Sequence, residues 1–388
     1  MVFFDTINGL RKRGHEVSEF SMTHAQNVPS DYSSYFASEM PELLTARDWS
    51  SKLAIFKRLF YSKEIEQKLN ALILATEPEV AHLHNIYHHL SASTFLTLRR
   101  RKVPMVLTVH DVFPLCPNHS FLYQGEIRED LFKNKLYNCT RFRCVDNRFV
   151  PSLAGTLEAY YYRWRGIWES IDAYICPSQF MADKLVEYGW PRAKMRVVPN
   201  PFPLVATPPP LGTAVVYLGR LHAEKGIRIF LEAVRQLRDY SVVVAGDGPE
   251  AKWVENYCRQ YGLNNVWLPG NVGADAWKKV VASARIVVVP SIFYENCSLT
   301  VLEALSYGRI VVGVKRGGTP ELIIDGKTGF LAEPGNADDL ARVIKQAMAL
   351  PPAEAERITT AGRALVATQH NEARYFDQLE AVYREVVL

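Results

Sequence analysis

The stretch AVVYLG, residues 214–219, is apolar on both of its faces and stops at a glycine. Four runs of the same kind follow it: SVVVAG (241–246), NVWLPG (265–270), RIVVVP (285–290) and RIVVGV (309–314). Segments of helical character separate these runs, at 225–238, 250–261, 273–283 and 298–307. Continuous apolar strands that alternate with helices are typical of a parallel sheet buried on both faces. The second half of the chain is therefore predicted to be an α/β domain.

The first half repeats this pattern less regularly. Strands are predicted at 15–20, 79–84, 103–110, 173–178 and 195–200, with helices at about 52–76, 91–101, 151–171 and 178–188. A long loop over 111–150 is expected to be functional or to become partly ordered on binding. The segment 197–212 holds six prolines and no helical period, so it is predicted to link two domains. Residues 371–388 carry a helical apolar stripe and are predicted to form a final helix.

The totals fit a soluble two-domain protein. A chain of 388 residues is too long for one ordinary core. The formal net charge is only +4, with the excess in residues 1–200 and basic clusters at 11–13 and 99–102. These clusters are either solvated helix ends or a contact for an anionic membrane surface or acceptor. No nucleic-acid partner is expected. Without a long apolar run, the chain is predicted to be cytoplasmic, with peripheral membrane contact left open.

Two loops of the second half carry groups suited to an anion. In GRLHAEKG, Arg220 lies just past a strand end and Lys225 lies at a helix start. Ligands of open α/β sheets bind at the carboxyl ends of strands. In YENCSLTVLEAL (294–305), only neutral residues separate Glu295 from Glu303, and a helix is predicted to begin near residues 297–298. The amides of about 297–300 then favour an anion.

The remaining candidates for a functional site are two glycines and several histidines and cysteines that could bind a metal. GDGPE (246–250) is a weak dinucleotide fingerprint, and its Gly246 and Gly248 are predicted to make a tight turn. HLHNIYHH (82–89) is interpreted as hydroxyl-binding or structural rather than as a metal site. Cys116, Cys139 and Cys144 fit buried thiols, or zinc ligands completed by Cys176 or His119.

Together these segments resemble glycosyltransferase family 4, whose members are retaining enzymes with the GT-B fold. The resemblance is strongest over 214–335, in YLGRLHAEKG, VVAGDGPE and the run from YENCSLTVLEAL to GFLAEPGN, and in the first half it rests on HLHN, LTVHD and CPSQFMADKL. It implies two Rossmann-like parallel-sheet domains that face each other across a cleft. The implied domains are 1–198 plus 371–388, and 199–370. Family members begin with a strand and a Gly-rich loop, so the first domain is expected to lack its first strand.

The resemblance also assigns roles to residues. It implies that Arg220 and Lys225 clamp a diphosphate, that Glu295 holds hydroxyls of the transferred sugar, and that His110 contacts the donor sugar. Glu303 is implied to hold the ribose. The remaining donor-binding residues are Asn296, Cys297, Ser298, Leu299, Gly219, Gly246 and Gly248. The acceptor-side residues are His84, Asn85 and His88.

The implied activity is transfer of a hexose-type sugar from a UDP- or GDP-sugar. The acceptor would be a glycan, a lipid-linked sugar or a small molecule, and no metal or other cofactor is expected. Two alternatives stay open: a non-catalytic protein that binds a nucleotide sugar, and a GT-B sugar-nucleotide epimerase.

Overall fold

The computed structural model describes residues 2–39 and 56–388, apart from the side chains of His88 and Ala274. Its strands are β1 (Ala81–His84), β2 (Met105–Thr108), β3 (Leu122–Tyr123), β4 (Glu126–Ile127), β5 (Ala173–Cys176), β6 (Met195–Val197), β7 (Ala214–Leu218), β8 (Val242–Ala245), β9 (Val266–Gly270), β10 (Ala284–Val288), β11 (Ile310–Val314) and β12 (Phe330–Ala332). Its helices are α1 (Val2–Lys12), α2 (Lys63–Thr76), α3 (Tyr87–Arg101), α4 (Glu129–Phe132), α5 (Asn138–Phe142), α6 (Phe149–Trp164), α7 (Gln179–Glu187), α8 (Ile227–Val234), α9 (Ala251–Gln260), α10 (Ala274–Ser283), α11 (Leu299–Ser306), α12 (Thr319–Leu322), α13 (Ala337–Met348), α14 (Pro352–Gln369) and α15 (Glu372–Val387).

Two parallel sheets organise the described part of the chain. The first has the strand order β1-β2-β5-β6, and the second has the order β12-β11-β10-β7-β8-β9. Every pairing within these two sheets is parallel. The α/β class and the five strands predicted in the second half are confirmed. The structure adds β12, a strand of three residues, which is too short to show a recognisable hydrophobic pattern in the sequence.

The second sheet is buried on both faces because its strands carry apolar side chains on both. Val215, Tyr217 and Ile286 pack with α8 and α13 on one face. Val216 and Val287 pack with α10 and α11 on the other face. This two-sided burial leaves only the strand ends open to a ligand, which is where β7 and β10 lead into the candidate loops.

The strand predicted at 15–20 is wrong. Residues 15–21 have no regular structure, and the nearest pairing is an isolated bridge between Met22 and Ala37. A cavity of about 720 Å³ lies between this segment, α1 and β1. In the described chain, residues 15–20 pair with no neighbouring strand, and a β pattern without a partner forms no ladder.

The proline-rich connection between the two sheets is fixed to the second domain. Residues 198–213 contain no helix or strand. The fully buried Arg309 guanidinium donates to the carbonyl oxygens of Pro210 at 2.8 Å and Ala284 at 3.0 Å. Arg363 Nη2 donates to the carbonyl oxygen of Val205 at 2.8 Å. A proline-rich segment has few backbone N–H groups. The two arginine side chains therefore supply hydrogen-bond donors that the backbone carbonyl oxygens need.

The last helix returns to the first sheet, as expected from its apolar stripe. Tyr375, Phe376 and Leu379 of α15 pack with Val106 of β2 and Leu10 of α1. The boundaries assigned to the two domains themselves stay a prediction.

The two basic clusters lie at helix ends. Arg11 is in the last turn of α1, and Arg99, Arg100 and Arg101 are in the last turn of α3. Arg11 pairs with Glu19 at 2.5 Å, and Arg100 pairs with Glu66. Cations in a last turn complement the helix dipole, so this placement favours the helix-end interpretation. Among the described residues, no helix is long and apolar enough to cross a membrane.

Candidate active site

Arg220 and Lys225 lie in the loop that connects β7 to α8. Gly226 closes this loop with φ +74°, and a Cβ at this position would lie 1.9 Å from the carbonyl oxygen of Pro290. Only glycine therefore allows the loop to approach the segment that follows β10 so closely. The approach brings Lys225 against residues 291–295.

Lys225 and Glu295 form an ion pair. Lys225 Nζ donates to Glu295 Oε1 at 2.8 Å, and Ser291 Oγ donates to the same oxygen at 2.6 Å. Lys225 Nζ also lies 4.7 Å from the centre of the Phe293 ring. Glu295 is only 7% exposed, so its carboxylate depends on these donors. The fold thus supplies a cation from 70 residues away to a carboxylate that has none close in sequence.

Arg220 lies on the rim of the same cleft. Its Nη2 donates to Glu224 Oε1 at 2.7 Å, and its side chain is 60% exposed. Exposed pairs of this kind contribute only about 0–1 kcal/mol, so the guanidinium can exchange this partner for another anion. The predicted pair of cations is present, and each is held by a carboxylate.

Gly246 and Gly248 let two loops pack backbone against backbone. A Cβ at Gly246 would lie 1.9 Å from the carbonyl oxygen of Gly219, and one at Gly248 would lie 2.5 Å from that of Leu221. Both glycines have positive φ, +145° and +154°. The tight turn predicted between β8 and α9 is confirmed. A contact of these three glycines with a nucleotide stays a prediction.

The N-terminus of α11 faces the cleft without a side-chain cap. Ser298 is the N-cap residue, and its side chain makes no capping hydrogen bond to any described residue. The amides of the first turn are therefore available to an anion. Glu303 lies one turn further on, where burial raises the pKa of its carboxyl and Trp277 hydrogen-bonds to it. Burial raises the pKa of the Cys297 thiol to about 12, so this residue offers no thiolate.

His110 directly follows the end of β2 and is hydrogen-bonded to His84. Their ring nitrogens Nε2 and Nδ1 lie 2.9 Å apart. Burial lowers the pKa of both imidazoles, so both are neutral near pH 7. One ring then donates N–H to the lone pair of the other, and His110 is oriented as a hydrogen-bonding group rather than as a cation.

Asn296 joins the two halves of the site. Its Nδ2 donates to the carbonyl oxygens of Val109 at 2.8 Å and His110 at 3.3 Å. Its Oδ1 accepts from Ser178 Oγ at 2.6 Å. The side chain predicted to bind the donor is thus engaged by the first domain. Asn296, which directly follows Glu295 in the second domain, thus contacts the backbone of His110 in the first.

The acceptor-side residues lie around the cavity beside β1. His84 and Asn85 line it together with His110 and Leu299. His88 lies in α3, and its side chain is outside the described residues. His84 and Asn85 therefore line the same cavity as Leu299 at the N-terminus of α11, and contact of all three predicted residues with an acceptor stays a prediction.

Two further glutamates, Glu129 and Glu321, make contacts between the two domains that local sequence patterns do not predict. Glu129, within the loop predicted to be functional, accepts from Lys184 Nζ at 3.0 Å and from the Tyr294 hydroxyl. Glu321 accepts from the backbone amides of Gln179 at 2.8 Å and Phe180 at 2.6 Å. Glu321 thus caps α7 from the opposite domain, where a carboxylate complements the helix dipole. These contacts hold the cleft closed over 294–296.

Cys139, Cys144 and His82, which were considered for metal binding, are bonded to other residues. Cys139 and Cys144 form a disulfide, so neither the buried-thiol nor the zinc interpretation holds for this pair. Cys116 is a buried free thiol, and burial raises its pKa to about 12. His82 is bonded at both ring nitrogens, to the hydroxyls of Tyr383 and Thr108, each at 2.7 Å. No group of three or more His, Cys, Asp or Glu among the described residues is arranged to hold a metal ion.

Two family models match the chain. Residues 1–205 match the model described as Glycosyltransferase Family 4, and residues 211–365 match the model described as Glycosyl transferases group 1. The two matches meet in the proline-rich connection. Together they span both parallel sheets.

Two curated relatives are similar over part of their length. One is the alpha-D-kanosaminyltransferase of Streptomyces kanamyceticus, 31% identical over 45% of this chain and 46% of the relative. Another is the lipopolysaccharide 1,2-N-acetylglucosaminetransferase of Salmonella typhimurium, 30% identical over 53% of this chain and 60% of the relative. The chain thus spans about half the length of the curated relatives it matches.

Solved structures share the fold. The sucrose-phosphate synthase of Thermosynechococcus elongatus superposes with a TM-score of 0.71 at 19% identity, over 97% of this chain and 90% of that one. HepE of Anabaena, solved in complex with UDP-glucose, gives a TM-score of 0.63 at 17% identity, over 94% and 99%. At these identities the likeness shows the fold, two Rossmann-like domains in the GT-B arrangement.

Proposed function

The chain belongs to glycosyltransferase family 4, and from this membership we propose that it transfers a hexose-type sugar from a UDP-sugar to an acceptor with retention of configuration. UDP is preferred over GDP because the Anabaena protein of the same fold binds UDP-glucose. The acceptor class is a glycan, a lipid-linked sugar or a small molecule.

The observation that carries the proposal is the ion pair between Lys225 and Glu295, 2.8 Å long, next to the uncapped N-terminus of α11. A diphosphate needs fixed positive groups, and the transferred sugar needs hydroxyl acceptors. This corner of the cleft supplies both. Through Asn296 it also lies beside His110 of the first domain.

Each residue then has a role in the transfer. As the bond between sugar and phosphate breaks, negative charge grows on the leaving phosphate oxygen. Lys225 and Arg220 leave their carboxylate partners and, with the amides at the start of α11, stabilise that charge. Glu295, released from Lys225, accepts hydrogen bonds from sugar hydroxyls. Neutral His110 hydrogen-bonds the sugar near the reacting carbon.

Retention follows from attack on the face that the leaving phosphate vacates. The acceptor oxygen forms its bond to the anomeric carbon as the sugar–phosphate bond breaks, and the phosphate takes the proton of the acceptor hydroxyl. A closed cleft excludes water and so prevents hydrolysis of the donor. With two side-chain cations in this position, we propose that no metal is required.

A cytoplasmic location and a peripheral contact with a membrane surface are further proposals. The basic excess of residues 1–200 is compatible with an anionic surface. The paired state of Arg11 and Arg100 leaves fewer charges for such a contact.

One assay tests the function against its rivals. The full chain is incubated with UDP-glucose, UDP-N-acetylglucosamine and their GDP counterparts and a panel of sugar acceptors, and products are identified by mass spectrometry and NMR. Sugar transfer with UDP release is the expected result. Formation of an epimer would make the protein an epimerase, and binding of UDP without turnover would make it a non-catalytic binder. Absence of binding to UDP, to GDP and to all of these sugar nucleotides would refute all three.

A further inference from the structure

A second cavity, of about 610 Å³, lies between the first-domain segment 113–158 and the loop that follows β7. Its polar lining includes Asn118, Asp146, Glu158, His222 and Glu224. It is referred to as the acidic cavity because three of these side chains are carboxylates. It is separate from the cavity beside β1, with which it shares no lining residue.

The acidic cavity adjoins the groups assigned to sugar transfer. In one wall, Glu224 Oε1 accepts from Arg220 Nη2 at 2.7 Å. His119, another lining residue, has its Nδ1 3.2 Å from Asp111 Oδ2, and Asp111 directly follows His110. A molecule in this cavity therefore adjoins the partner of Arg220, a proposed diphosphate ligand, and the partner of the residue next to His110.

Glu158 gives the acidic cavity a group without a partner. Its side chain projects from α6, the residue is 3% exposed, and its Oε1 has no hydrogen bond to any described residue. Buried carboxyl groups are almost always hydrogen-bonded or paired with a cation. Because Glu158 lines the cavity, a ligand bound there can supply the missing partner.

The charges around the cavity select the kind of ligand. Among the described residues that line it, none is lysine or arginine. Its two imidazoles lie near carboxylates: His119 lies 3.2 Å from Asp111, and His222 lies 3.3 Å from Glu224. Arg220 offsets the charge of Glu224, and Asp146 of the lining would still attract an ammonium group and repel a phosphate or carboxylate ligand.

We propose that the acidic cavity, in place of the cavity beside β1 that holds His84 and Asn85, is the acceptor subsite, and that Glu158 binds the ammonium group of an amine-bearing sugar or polyol. The acceptor role of this cavity rests on the function proposed above, whereas binding of the amine does not. A neutral hydroxyl is the competing partner. A hydroxyl group would hydrogen-bond a carboxyl and a carboxamide equally well, whereas an ammonium group would lose its charged partner. Replacing Glu158 with glutamine therefore distinguishes an amine ligand from a hydroxyl ligand.

Binding of an amine also moves a proton. Burial raises the pKa of the Glu158 carboxyl to about 8, so the group is mostly protonated at pH 7. A neighbouring ammonium favours the ionised carboxylate. Glu158 therefore releases its proton to solvent as the amine binds, and the ammonium and carboxylate stay paired.

The test compares methyl glucosaminide with methyl glucoside, which differ in one amine and one hydroxyl. Binding to the full chain is measured by isothermal titration calorimetry at pH 7, with and without UDP. We expect the amine to bind at least tenfold more tightly than the hydroxyl compound. Glu158→Gln should abolish this preference and leave methyl glucoside binding within twofold. The exposed Glu126→Gln serves as the matched control and should behave like the unmodified protein.

A second measurement needs no variant. Titration of methyl glucosaminide in buffers of different ionisation enthalpy should reveal proton release to the buffer. Equal affinity for the two compounds, no measurable amine binding, absence of proton release, or a preference that survives in Glu158→Gln would each overturn the proposal. UDP binding is followed in the same titrations, so loss of UDP binding refutes the proposed function and leaves the amine comparison intact.

Discussion

Replacing Lys225 with alanine should weaken the binding of UDP much more than the binding of uridine. In the structure, Lys225 Nζ lies 2.8 Å from Glu295 Oε1, in the corner of the cleft formed by the start of α11. The proposed function moves this ammonium from the carboxylate to the diphosphate. Uridine lacks the diphosphate, so its binding should not depend on the lysine.

The size of the effect follows from the groups involved. A hydrogen bond to a charged group contributes about 1.5–3 kcal/mol, which corresponds to about a 10- to 150-fold change in Kd for UDP. Lys225→Ala also leaves Glu295, whose side chain is 10% exposed, without its cation beside the phosphates. The double variant Lys225→Ala/Glu295→Gln removes that repulsion, so it should bind UDP more tightly than Lys225→Ala alone.

Isothermal titration calorimetry with UDP and uridine measures both affinities on one preparation. Lys315→Ala is the matched control, because Lys315 also pairs with a glutamate, Glu333, at 2.7 Å but is 50% exposed. Its affinities should match those of the unmodified chain. An equal loss of UDP and uridine affinity in Lys225→Ala, or an unchanged affinity for UDP, would refute the reasoning.

Further predictions concern catalysis, domain contact, metal and pH. Glu295→Gln should lower kcat at least tenfold while UDP binding persists in calorimetry; unchanged turnover would remove this residue from the site. Asn296→Ala leaves the Val109 carbonyl without its 2.8 Å donor, a loss of about 1–3 kcal/mol, so small-angle scattering should show a larger radius of gyration, and an unchanged one would show that this contact does not hold the cleft. EDTA should leave transfer activity intact, and its abolition, restored by added Mg²⁺ or Mn²⁺, would contradict stabilisation by side-chain cations. Because burial raises the pKa of Glu158 from 4.5 to about 8, its ionisation opposes folding increasingly as pH rises through that window. The free energy of unfolding of Glu158→Gln relative to the unmodified chain should therefore rise between pH 5 and 8, by on the order of a few kcal/mol; a difference independent of pH in urea denaturation would contradict this.

The strands of the second domain could be predicted because most of them consist of an unbroken run of apolar residues, which is typical of a strand buried on both faces. Runs such as AVVYLG and RIVVVP are apolar on both faces, and the structure buries both faces of β7 and β10. The strand predicted over residues 15–20 did not form. Strand formation requires a neighbour, and this segment pairs with none in the described chain.

The elements of the site were predictable, but their partners were not. The positions of Arg220 and Lys225 after a strand, and of Glu303 one turn into a helix, follow from local patterns. The pairing of Lys225 with Glu295 joins residues 70 positions apart, and it depends on the close approach that Gly226 allows. A local sequence pattern does not predict a contact between residues so far apart in the chain.

Interactions between the domains were the least accessible to sequence reasoning. Donor binding by Asn296 stays a prediction, and its hydrogen bond to the carbonyl of Val109, 187 positions away, could not be predicted from the sequence. Glu158 carries no signal in sequence, since a glutamate in a helix is ordinarily solvated. Its importance emerges only from its burial and its missing partner. The disulfide between Cys139 and Cys144 was also missed, because a low cysteine content argues against a scaffold but not against a single bond.

A crystal structure of the full chain with UDP tests the central claim most directly. The account predicts that the diphosphate lies within hydrogen-bonding distance of Lys225 Nζ and of the first-turn amides of α11, with the Lys225–Glu295 pair opened. UDP bound outside this corner, with that pair intact, would contradict it.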